Sequence, residues 1–258
     1  MGVVALSLKM YLGHERTLEL VDAVLARLAR VPAVGDGRVR VAILPSFLSI
    51  PALAQRLNST PILLGAQDLC QADHGPYTGE VSGPELARFG VSVVEVGHAE
   101  RRFIYGESDE MVRDKLAAAA RNGLIPLLCV GGTDRATSVV ATAECIQQVT
   151  SALGESRPDE LWIAYEPWWA VRAPEPAPAD HVREVCEAIR ASLTYLGLPV
   201  VLLYGGSAGP GLLTRLGNAV DGLFLGRFGH DPAAFEAVVC ESAPQDDQPV
   251  DLHEGAVR

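Results

Sequence analysis

Eight short runs of β-branched or leucine-rich residues recur along the 258-residue chain, each followed by an amphipathic stretch of helical length. This alternation constrains the fold more than any other feature, because it marks repeated βα units around a parallel sheet. The runs are Val3 to Lys9, Val39 to Leu44, Pro61 to Ala66, Val91 to Val96, Leu124 to Val130, Leu161 to Tyr165, Val200 to Tyr204 and Ala219 to Leu225. They lack the every-second-residue alternation of half-exposed strands, as expected where both faces are buried. Between them apolar residues return every three or four positions, over Glu15 to Ala29, Asp109 to Arg121, Arg135 to Ala152 and Asp180 to Leu196. Ser108 and Asp180 stand where N-caps belong. Eight units fit an α/β fold of the (β/α)₈ barrel type; a doubly wound open sheet fits the alternation almost as well, and periodicity does not separate the two.

No linker-like stretch divides the chain, so one domain is expected over residues 1–240, followed by a polar, acidic, proline-broken tail over 241–258. With 21 Lys and Arg against 32 Asp and Glu, the net charge of −11 repels nucleic acid and anionic membrane, so any phosphate site must be local. The apolar opening is too short for a signal peptide and no run reaches transmembrane length, which points to the cytoplasm. Cys70, Cys129, Cys145, Cys186 and Cys240 show no metal or disulfide spacing and read as free, mostly buried thiols. His14, His74, His181, His230 and His253 likewise lack metal spacing and are expected at the surface.

In parallel α/β folds the reactive groups gather at the carboxyl ends of the strands. Lys9 closes the first run, His98 and Glu100 follow the fourth, Glu166 follows the sixth, and glycine-rich turns follow the seventh and eighth. A base, an imidazole, a cation and phosphate-cradling backbone are what proton abstraction beside the carbonyl of an anionic substrate requires, with no metal invoked.

Six segments now carry a specific resemblance. Ser7-Leu8-Lys9-Met10, Gly65-Ala66-Gln67, Tyr77-Thr78-Gly79-Glu80, Gly97-His98-Ala99-Glu100-Arg101-Arg102, Ala164-Tyr165-Glu166-Pro167-Trp168-Trp169-Ala170 and Tyr204-Gly205-Gly206-Ser207 occur in order and resemble the motif series of the triosephosphate isomerase family. The resemblance runs from Val3 to about Phe235 and implies a single-domain TIM barrel. It also implies the family's own division of labour: Glu166 shuttles a proton between adjacent carbons, neutral His98 polarises the carbonyl, and Lys9 balances the substrate's charge. Glu100 would orient Lys9. Gly206, Ser207 and Gly226 would hold phosphate, Pro167-Trp168-Trp169 would hinge a lid, and the loop carrying Thr78 and Glu80 would enter a neighbour's active site in a homodimer.

The pattern departs from the family around the substrate. Ser7 stands where the family has asparagine, Ala99 replaces a serine, and Val171-Arg172-Ala173-Pro174-Glu175-Pro176 replaces a Gly-Thr-Gly-Lys lid tip. Arg172 and Arg227 each replace a glycine; turned inward, their guanidiniums would clasp phosphate directly. The leading expectation is a glycolytic interconversion of dihydroxyacetone phosphate and glyceraldehyde 3-phosphate through an enediolate. Two alternatives stand beside it: isomerisation of a four-carbon ketose phosphate such as L-erythrulose 1-phosphate, and a retired barrel that senses sugar phosphate without turnover.

Overall fold

The computed structural model describes residues 1–171 and 173–244. Its eight strands are β1 (Gly2–Ser7), β2 (Val39–Leu44), β3 (Ile62–Ala66), β4 (Val91–Val96), β5 (Ile125–Val130), β6 (Leu161–Tyr165), β7 (Val200–Tyr204) and β8 (Gly222–Leu225). All neighbours are parallel and follow chain order, and β1 pairs with β8 from Val3↔Gly222 to Leu6↔Leu225. That last pairing closes the sheet, so the doubly wound alternative falls. At the seam Gly222 is obligatory: a Cβ there would lie 1.6 Å from the Val3 carbonyl oxygen.

Closure divides the apolar residues between two cores. Residues Val3, Ala5, Leu44, Val93, Trp162 and Phe224 point inward and fill the barrel, while their sequence neighbours, such as Val4, Leu6, Ile43 and Val94, pack outward under the helices. This is why the strands read as unbroken apolar runs.

The helices begin where local capping fixes them. Ser108 accepts a hydrogen bond from the Met111 N–H and starts Asp109–Arg121, as expected. The helix expected from Arg135 begins at Ser138 instead, because the Thr137 hydroxyl caps the Val140 N–H. Asp180 is not an N-cap: Pro178, with φ of −52°, precedes the helix Ala179–Leu193, and Asp180 lies in its first turn paired with Arg183. Strand β1 ends at Ser7, two residues short of Lys9, whose φ of +49° turns the chain out of the sheet. Four of the five free cysteines are buried, with Cys240 exposed. His14 and His74 are exposed, but His181 and His230 are half-buried, against the expectation. The His181 ring meets the Tyr165 hydroxyl at 3.1 Å and His230 packs edge-on to Tyr11. His253 and the tail beyond 244 lie outside the described residues. No described helix is long and apolar enough to cross a membrane.

Candidate active site

Glu166 leaves the end of β6 with its N–H bonded to the Val130 carbonyl at 2.8 Å, which fixes the direction of its side chain. The carboxylate is buried, and Gly205 makes the space for it: a Cβ at Gly205 would lie 2.5 Å from Glu166 Cγ. Burial pushes the Glu166 carboxyl up to about 7, against the pull of Lys9 and of the Cys129 thiol hydrogen bond. Its Oε2 has no hydrogen-bond partner among the described residues and stands 3.4 Å from His98 Nε2.

His98 caps the helix Ala99–Tyr105, and its Nδ1 accepts the Glu100 N–H at 3.1 Å. A backbone N–H can only donate, so Nδ1 carries no proton and the ring's proton sits on Nε2, on the side facing Glu166. The imidazole is thereby set up as a neutral donor.

Lys9 is held at its left-handed turn by Gln67, whose side-chain amide donates to the carbonyls of Lys9 (3.1 Å) and Leu44 (2.9 Å). The Lys9 ammonium lies 3.3 Å from Glu100. Burial works to lower the Lys9 pKa, but Glu166, Glu100 and Glu95 together raise it, so the group stays charged.

Ser7, Lys9, Glu166, Ser207, Gly226 and Arg227 line one pocket of about 530 Å³, counting the space at its mouth. Gly206, between the lining residues Gly205 and Ser207, is not itself part of the lining; a Cβ there would lie 2.5 Å from the Tyr204 hydroxyl oxygen. The Ser207 hydroxyl donates to the carbonyls of Ala170 (2.9 Å) and Ala173 (2.8 Å), so its proton is committed to the segment after β6. Arg227 faces the pocket, its guanidinium 5.8 Å from the centre of the Tyr11 ring. Arg172 lies outside the described residues. Thr78 and Glu80 are exposed on the loop after β3 and line no part of this pocket.

One residue escaped the sequence reading. Glu95, inside the apolar run of β4, is buried within the barrel and accepts the Ser7 hydroxyl at 2.9 Å. Its signal was a single charged residue inside the run Val91 to Val96; on β4 it shares the inward face of Val93.

A buried carboxylate base and a cation that line one pocket, with a neutral imidazole donor 3.4 Å from the base, suit enolisation of an anionic carbonyl compound. The sequence profile of triosephosphate isomerase matches residues 2–242. The chain belongs to the triosephosphate isomerase family. Among relatives, it is 46% identical over 242 residues to the L-erythrulose-1-phosphate isomerase of Pectobacterium atrosepticum, covering 92% of this chain and 93% of that protein. It is 38% identical over 238 residues to the triosephosphate isomerase of Moorella thermoacetica, covering 88% and 94% respectively. It is 41% identical over 202 residues to the L-erythrulose-1-phosphate isomerase of Mesorhizobium japonicum, covering 74% and 79%. As a member of the triosephosphate isomerase family it is an isomerase of phosphorylated sugars, which sets aside the retired barrel.

Proposed function

We propose that this family member isomerises a four-carbon ketose phosphate, L-erythrulose 1-phosphate, in place of the triose that was the leading expectation. The observation that carries the substrate's length is the 46% identity, over 92% of the chain, to an L-erythrulose-1-phosphate isomerase, against 38% to a triosephosphate isomerase. Ser7 and the exposed Arg227, both lining the pocket, support the same reading, since both change the space around the sugar.

In this mechanism Glu166 removes the proton from C3, the C–H electron pair forms the C2–C3 double bond, and the C2 carbonyl oxygen becomes an enediolate oxygen. His98 Nε2–H and the Lys9 ammonium stabilise that oxygen as its charge develops. Glu166 then returns the proton to C2, and the C3 hydroxyl's proton passes to the C2 oxygen by way of His98 Nε2, so that C2 becomes the hydroxyl-bearing carbon and C3 the carbonyl. With a triose the new carbonyl is terminal and the product is an aldose. With a four-carbon 1-phosphate it is internal, and the product is a second ketose carrying its phosphate at C4. Hydrogen leaves and returns as a proton, so no cofactor enters the balance.

Backbone N–H groups at Gly206, Ser207 and Gly226 hold the phosphate, and Arg227 adds a charge-assisted contact. Glu100 positions Lys9. A homodimer built on the Thr78 and Glu80 loop completes the assembly, and the charged metabolites it handles place the enzyme in the cytoplasm. Residues 1–240 form the isomerase domain. Steady-state comparison of L-erythrulose 1-phosphate with dihydroxyacetone phosphate, with Glu166→Gln as the blank, tests the reading. It requires kcat/KM at least about tenfold higher on the tetrulose; equal or better use of the triose overturns it.

A further inference from the structure

The barrel interior holds a carboxyl group that the proton shuttle does not use. Glu95 is 3% exposed, accepts the Ser7 hydroxyl at Oε2, and places Oε1 3.8 Å from His98 Nε2. Burial, reinforced by Glu166, pushes its carboxyl up to about 8. An apolar side chain would fill this inward position of β4 without that penalty, so its presence calls for a reason other than packing.

Ser7 supplies the reason. Ser7 lines the pocket and Glu95 lies behind it. With its proton directed at Glu95, the Ser7 oxygen turns its lone pairs to the pocket and becomes a fixed acceptor. Asparagine, the family's residue there, is longer than serine by a carbon and a heteroatom and presents an amide donor. A four-carbon ketose phosphate exceeds a triose phosphate by a hydroxymethyl group, which is a carbon, an oxygen and one hydroxyl donor. The exchange therefore matches in volume and in hydrogen-bond sense.

We propose that Ser7 and Glu95 form a specificity-determining pair: Ser7 leaves room for the substrate's hydroxymethyl group and accepts its hydroxyl, and Glu95 is the positioning residue that fixes the Ser7 hydroxyl from behind. The inference rests on the four-carbon reading of this site.

The test is the ratio of kcat/KM on L-erythrulose 1-phosphate to that on dihydroxyacetone phosphate, with melting temperatures alongside. Glu95→Val, which frees the Ser7 hydroxyl, lowers the ratio about tenfold. Glu95→Gln, whose amide oxygen still accepts from Ser7, keeps it within about threefold of the wild-type ratio, and Ser7→Asn lowers it by more than about tenfold by filling the space. A ratio unmoved in Glu95→Val, with both substrates losing in proportion, overturns the pair as a specificity device. Should Glu95→Val fail to fold, Ser7→Ala takes its place: loss of the acceptor lowers the ratio, and an unmoved ratio is again contrary. Wild-type preference for the triose sinks the four-carbon reading by itself, whereas the pair is judged by how the variants shift the ratio.

Discussion

The Tyr204 hydroxyl at the end of β7 accepts the backbone N–H of Ala177 at 2.9 Å, tying down the segment that follows the catalytic strand β6. Ser207 adds its bonds to Ala170 and Ala173, so the segment is fastened at three points. This is the segment that the resemblance makes a lid, with Pro174, Pro176 and Pro178 in a stretch where the family's lid tip carries glycines.

Tyr204→Phe removes the acceptor and leaves the Ala177 N–H without its partner, which shifts the lid toward opening. A reduction in kcat/KM of about 10- to 100-fold is expected. An open lid also gives the enediolate time to expel its phosphate, so inorganic phosphate released per turnover should rise. Assaying both products together checks this; unchanged phosphate release with lowered kcat/KM would detach the hydroxyl from closure.

Glu166 must be ionised to take a proton, and its carboxyl is pushed up to about 7 by burial. The profile of kcat/KM against pH should therefore fall on its acid side with an apparent pKa of about 7. A single limb near about 6 would report the substrate's phosphate instead. Activity held flat to about pH 5 would contradict the burial of the base.

Glu95 makes stability depend on pH with a definite sign. Its folded pKa of about 8 lies above the ordinary 4.5, so it favours folding while protonated, below about 4.5, and that contribution is lost as pH rises through 8. Glu166 acts in the same direction with its own value of about 7. Glu95→Gln cannot ionise, and its melting temperature should exceed the wild-type value by a margin that widens by about 5 °C or more between about pH 5.5 and about pH 9. Thermal melts across that range check it, and a constant margin would mean that Glu95 is already ionised in the folded protein at about pH 5.5, with its pKa not raised by burial.

Much of this was legible in the chain. Apolar runs such as Val91 to Val96 identify strands because a closed barrel buries both faces, and Glu166 and His98 stand at strand ends among recognisable neighbours. Other features depend on three-dimensional facts that no local pattern carries. Open sheet and closed barrel differ only in whether β1 meets β8. Glu95 hid inside an apolar run because alternation, the cue to an inward face, is erased when the outward face is apolar too. The end of β1 was overrun because Lys9 is turned out by Gln67, which lies 58 residues along the chain. Arg227 could be aimed only once Tyr11 was in view, and Asp180 was displaced as a cap by the preceding proline.

Solvent-hydrogen exchange tests the central claim most directly, because a proton shuttled by Glu166 between C3 and C2 of a tetrulose phosphate must meet solvent at the carboxylate. Wild-type enzyme in D₂O with L-erythrulose 1-phosphate, followed by proton NMR, should form a ketose 4-phosphate labelled at its C3, the carbon that was C2 of the substrate, and Glu166→Gln should suppress product and label together by at least about 10³-fold. Turnover that survives Glu166→Gln, or wild-type enzyme that neither labels nor converts the tetrulose, would contradict the account.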